Sequence, residues 1–220
     1  MIDPVVSVAT GLPRPRWRGR IHTWAFWVSV PATVWLQWVA DANPYARIGA
    51  IVFGLSLMAL YGVSAAYHRL ARRELAQRLM QRLDHSMIFV LIAGTYTPVC
   101  LAAFPSPYSR FILVSIWVLA VGGIGTKVWG NRRLLAVSNA LYPILGWFSV
   151  LALPLFIRTV AGPPLALMVL GGVLYTVGAL LFLLRYPDPD PMVFGYHEVW
   201  HFFTVLAGAS HFAMVALIVA

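Results

Sequence analysis

The chain has 220 residues, of which 60% are hydrophobic and 10% charged, with a formal net charge of +9. Soluble globular domains carry about 25% charged residues, so the composition excludes a water-soluble fold and points to an integral membrane protein. The basic residues sit in short clusters between apolar runs, not in one stripe with interleaved aromatics, which argues against nucleic acid as a partner.

Residues 1–21 form a basic N-terminal segment ending in PRPRWRGR. The apolar run that follows lacks a small-residue cleavage site and is long enough to span, so it reads as an uncleaved first helix. A spanning helix needs roughly 20 apolar residues. Seven such segments follow one another, at about 22–40, 46–69, 85–104, 109–128, 134–157, 164–184 and 197–219. Pro31, Pro98, Pro143 and Pro154 fall inside them, which transmembrane helices tolerate when neighbours satisfy the freed carbonyls. Connections are short, and there is no internal repeat. The expectation is an all-α bundle of seven transmembrane helices, with 22–220 as one domain. Cys100 is the single cysteine, which excludes a disulfide framework and a Cys-rich metal site; it reads as a small packing residue.

Orientation follows from Lys and Arg. Thirteen fall in the N-terminal segment and the second-to-third, fourth-to-fifth and sixth-to-seventh connections, against three (Arg47, Arg110, Arg158) on the other side. The positive-inside rule then puts the N-terminus in the cytoplasm and the C-terminus outside. Within the second-to-third connection, Leu75, Leu79 and Leu83 recur every four residues among arginines. That pattern suits a short amphipathic helix on the cytoplasmic surface, or equally an extension of a neighbouring span.

Ionisable residues within a membrane are costly, so each asks for a reason. The second span ends at the cytoplasmic side in Ser64-Ala-Ala-Tyr-His68, which puts Ser64 on the same helical face as His68 and about 6 Å deeper. The third span begins there at Asp84-His85-Ser86. The seventh begins there with His197 and His201, one turn apart. Polar groups remote in sequence thus converge on one leaflet. Three imidazoles with an open position make a common catalytic zinc layout, so His68, His197 and His201 are the candidate ligands of a Zn2+ ion. Asp84 is the candidate proton acceptor or a direct ligand, and Ser64 a hydrogen-bonding partner for a ligand, for Asp84 or for a substrate oxygen. Each has a plainer use alone: Asp84 as an N-cap, Ser64 in helix packing, His68 in the headgroup region. The i, i+4 pair His197 and His201 has no evident packing role.

Of the other histidines, His211 lies about 21 Å along the helix from His197 and reads as a helix–helix contact. His22 reads as interfacial, and His85, pointing about 100° from Asp84, as a candidate supporting residue. The string His197-Glu198-Val199-Trp200-His201 spells the H-E-x-x-H of zinc metalloproteases. No Asp or Glu follows His201, however, so a third ligand must come from upstream, and no later Asp-containing motif is present.

Together, Ser64-Ala-Ala-Tyr-His68, Leu83-Asp84-His85-Ser86, Ala93-Gly94-Thr95-Tyr96-Thr97-Pro98 and His197-Glu198-Val199-Trp200-His201 resemble the bacterial haemolysin III family. That family stands with the progestin and adipoQ receptors and, more distantly, the alkaline ceramidases. The resemblance implies a zinc ion on His68, His197 and His201, with Ser64 and Asp84 beside it. The function expected is zinc-dependent hydrolysis of a lipid amide or ester near the cytoplasmic leaflet of a bacterial inner membrane. The alternatives are a receptor-like sensor with structural zinc, and a pore-forming haemolysin.

Overall fold

A computed structural model describes residues 14–40, 42–130, 132–148, 150, 157, 160 and 162–220. Among them are seven α-helices: α1 (Arg20–Val39), α2 (Pro44–Leu70), α3 (Glu74–Pro98), α4 (Pro107–Trp129), α5 (Arg132–Trp147), α6 (Pro163–Leu184) and α7 (Tyr196–Val219). No strand occurs among the described residues. A π-helical turn, Val99–Ala103, continues α3.

Local chemistry sets several boundaries. Asn43 caps α2 by accepting from the Tyr45 amide, with Pro44 at the first helical position. Ser106 and Ser109 cap α4 reciprocally, with Pro107 in the same role. Gly19, which precedes α1, has φ 77°, the left-handed region that a residue without Cβ enters freely. A Cβ there would also stand 2.7 Å from that of His68, so glycine lets the start of α1 lie against the end of α2.

Among the described residues, five helices are long and apolar enough to cross a membrane: α2, α3 with its π turn, α4, α6 and α7. α1 has 20 residues and presents Trp24, Trp27, Trp35 and Trp38 outward, a tryptophan-rich surface suited to the membrane boundary. α5 is described over 16 residues; much of the remainder of the expected 134–157 span, including Pro154, lies outside the described residues, as do Arg158 and the first thirteen residues. The assembly is a polytopic membrane bundle.

α3 settles the choice left open for the leucine repeat. Leu75, Leu79 and Leu83 belong to one helix that runs unbroken from Glu74, so the segment extends the third span and is not a separate surface helix. Its 30 residues to Ala103 span about 45 Å, against about 30 Å of hydrocarbon.

α7 is the organising element, packing against α6, α1, α2, α3 and the π turn. Close approach depends on small residues, as is usual between membrane helices. Gly208 of α7 faces the Tyr61 hydroxyl of α2, and Gly171 of α6 faces the His211 ring of α7. His211 Nε2 lies 3.3 Å from the Met168 carbonyl, so it is the helix–helix contact expected. Buried Phe53, Phe89, Ile116, Met214 and Val215 fill the middle of the bundle.

Candidate metal centre

α2 delivers His68 from its last turn; α7 delivers His197 and His201 from its first two. The three rings offer ligand atoms that all lie within 4.8 Å of one another. His68 Nε2 and His197 Nε2 are 3.2 Å apart. His68 and His201 are buried, and His197 is partly so. Nδ1 of His201 is buried with no hydrogen-bond partner among the described residues. This set of donors can hold a metal ion.

Asp84 does not belong to that cluster. It is the eleventh residue of α3, whose N-cap is Arg73, so a capping role for Asp84 is excluded. Its side chain instead lies beside that of Ser64 on α2. Ser64 is one turn from His68 on α2 and is itself buried. The polar set is therefore two connected pieces: three imidazoles at the helix ends, and a carboxylate–hydroxyl pair one turn deeper. His85 adds its backbone carbonyl to a bond from the Tyr142 hydroxyl of α5.

Glu198 is fully buried, and both of its oxygens are committed. Oε1 accepts from Arg18 Nε at 2.6 Å, and Oε2 accepts from the Gly195 amide at 3.0 Å, capping α7. A carboxylate held on two sides in this way is a poor general base, and the metalloprotease reading of His197–His201 loses its central residue.

The segment before α1 closes the same end of the bundle. The amides of Arg16 and Trp17 donate to the carbonyls of Met192 and Val193 in the α6–α7 connection. Arg14 Nη1 donates to the His68 carbonyl at 2.8 Å. His22, expected at the interface, is buried: its ring stacks on His201 with centroids 3.8 Å apart and planes 10° from parallel. Its Nε2 stands 2.9 Å from Thr204 Oγ1, and Thr204 donates to the His201 carbonyl. Sequence reasoning missed Arg18, His22 and Thr204 as supports of the cluster. A histidine two residues into a helix was the available signal for His22; for Arg18, one among four clustered arginines, there was none.

The comparisons with known proteins bear on most of the chain. The profile of the family described as "Haemolysin-III related" matches residues 10–212. The chain belongs to that family. This haemolysin-III-related protein is similar to "Hemolysin-3" of Bacillus cereus, 35% identical over 83% of this chain and 81% of the relative. It is similar to the "Hemolysin-3 homolog" of Bacillus subtilis, 30% identical over 86% of each. A human relative, "Monocyte to macrophage differentiation factor", is 26% identical over 87% of this chain and 79% of its own length. The haemolysin-III-related match includes α1 to α6 and α7 as far as Phe212, and so contains all three clustered histidines.

Proposed function

We propose that this protein is a zinc-dependent intramembrane hydrolase acting on a lipid amide or ester, with its site near the cytoplasmic leaflet of the bacterial cell membrane. The observation that carries this reading is the spacing of the three imidazoles. Two nitrogens on one tetrahedral zinc, each at about 2.0–2.1 Å, stand about 3.3–3.4 Å apart. The 3.2 Å between His68 Nε2 and His197 Nε2 fits that edge, and the unpartnered ring nitrogen of His201 adds a buried group in need of a partner. His68, His197 and His201 would hold the ion. When bound, zinc supplies Lewis acidity, which polarises a carbonyl and makes water nucleophilic near neutral pH.

The chain's own residues would do the rest. Asp84, beside the Ser64 hydroxyl, would accept a proton from the attacking water and return it to the leaving amine or alcohol, the work of a general acid–base group. The buried surroundings exclude bulk water, and a lipid enters sideways from the bilayer. A structural zinc closes its shell with four protein ligands, whereas a catalytic one keeps a position open. The described cluster has three histidines and no carboxylate, which favours hydrolysis over a receptor with structural zinc.

The test joins metal analysis to turnover. Purified protein should carry about one zinc per chain; His68→Ala and His197→Ala should lose it, and His211→Ala should keep it. Metal-loaded protein should release fatty acid from a panel of ceramides and lipid esters. Asp84→Asn should keep the zinc and lose about 100-fold or more in rate. Full zinc in His68→Ala refutes the site; no turnover of any panel member refutes the hydrolase.

A further inference from the structure

Beside the histidine cluster, on the outer side of the α1–α2 contact, lies a cavity of about 370 Å³ lined by Arg20, Thr23, Trp24, Trp27 and Arg69. It belongs to neither the imidazole set nor the Asp84–Ser64 pair. Two features mark it. Its lining holds two guanidinium groups and no carboxylate. The ion pairs among the described residues, Arg18–Glu198 and Arg78–Glu74, use other arginines.

Both guanidiniums are placed without being neutralised. Arg69 Nη1 donates to Thr23 Oγ1 at 3.3 Å, while that hydroxyl donates to the Gly19 carbonyl at 2.9 Å. Thr23 therefore presents a lone pair that steadies Arg69. The Arg20 guanidinium lies 6.0 Å over the Trp17 ring, within cation–π range. Two guanidinium forks with spare N–H donors match the oxygens of a phosphate. Trp24 and Trp27 supply the other wall and are 69% and 63% exposed, on the face of α1 directed away from the bundle. Indoles at that depth favour a ligand that is charged at one end and apolar at the other.

We propose that this groove binds an anionic phospholipid, with its phosphate held between Arg20 and Arg69 and the chain beyond the headgroup lying along Trp24 and Trp27. By the positive-inside rule the arginine-rich end of the bundle would face the cytoplasmic leaflet, where anionic lipids attract basic residues. The bound lipid would wedge the start of α1 against the end of α2, one residue from His68. The inference goes beyond hydrolysis and does not rest on it: its readout is lipid retention, which is independent of turnover.

The full-length protein, purified in detergent, is titrated with phosphatidylglycerol or phosphatidylcholine and examined by native mass spectrometry. One phosphatidylglycerol should be retained in preference to phosphatidylcholine. Arg20→Gln with Arg69→Gln should weaken it roughly 30-fold, from about fivefold per arginine at a membrane surface. The double lysine replacement, which keeps the charge and loses the fork, should fall between. Trp24→Ala with Trp27→Ala should weaken retention with both arginines intact. Arg110→Gln, which removes one positive charge from α4 at the opposite end, should leave retention unchanged. All five side chains lie at the surface or half-buried, so unchanged melting temperatures are expected and the lysine pair provides a fold-preserving comparison. Equal retention of the two lipids, or equal weakening by Arg110→Gln, overturns the site. Displacement of the lipid by millimolar inorganic phosphate overturns the lipid as its ligand.

Discussion

Replacing Arg18 by Met tests whether the N-terminal segment holds the metal centre together. The Arg18 side chain is 17% exposed and that of Glu198 0%, with 2.6 Å between Nε and Oε1. Removing one partner of a buried pair costs about 3–5 kcal/mol, because the other charge is left without compensation. Glu198 keeps its bond from the Gly195 amide, and partial exposure of Arg18 admits water, so the lower end, about 3 kcal/mol, is the expected cost. At about 2–4 °C per kcal/mol for a chain of this size, the melting temperature should fall by about 6–12 °C. The measurement is thermal unfolding of zinc-loaded protein in one detergent. Arg18→Met with Glu198→Met should recover most of the loss, since apolar pairs often substitute for buried ion pairs without penalty. What remains is the lost cap, about 1 kcal/mol. A fall below about 2 °C in the single variant, or additive losses in the double variant, would refute the reasoning.

Other consequences can be checked in the same preparations. His22→Leu removes the ring stacked on His201 and the contact with Thr204, and should weaken zinc binding about 10-fold or more, the usual effect of losing a support behind a ligand; His22→Phe, which keeps the stack alone, should lie between, and wild-type affinity in His22→Leu would deny His22 a positioning role. Gly94→Ala would put a Cβ 2.2 Å from Ser56 Oγ and 2.7 Å from Ser56 Cβ, so α3 must move from α2 at a cost of about 1–3 kcal/mol. Adding Ser56→Gly should relieve it, and failure to recover would place the strain elsewhere. On the proposed site, a chelator should lower the melting temperature of zinc-loaded wild type and leave His197→Ala unchanged.

What could be read in advance was what periodicity and residue type encode. The spans, the helical pairing of His197 with His201, the matching depth of His68 and the contact role of His211 all follow from spacing and topology. The start of α3 was harder. Arginines interrupt its apolar pattern, so the third span read as beginning at 85, and Asp84 looked like a possible cap. The helix in fact starts at Glu74, because a helix that leaves the hydrocarbon needs no continuous apolar face. Glu198 and His22 were out of reach for another reason. Their partners, Arg18 and His201, lie about 180 residues away, and no periodicity reports which of several arginines crosses the bundle. The Glu198 string even pointed towards another chemistry, since a motif records side-chain types and not the direction in which they face.

The bond between Arg18 and Glu198 spans a sequence separation of 180 residues, and that separation sets a schedule for biogenesis. At synthesis rates of about 5–20 residues per second, Arg18 emerges roughly ten to forty seconds before Glu198 exists. Throughout that interval His22 lacks the ring it stacks on, and His68 lacks both of the histidines beside it. The earlier helices must therefore wait in the bilayer with an open polar end until the last one arrives. Insertion of α7 then supplies two candidate ligands, the buried acid and the seat for the N-terminal segment in a single event. If the three histidines hold the proposed metal, its loading is a late checkpoint of membrane assembly, passed only by chains whose final helix has been delivered.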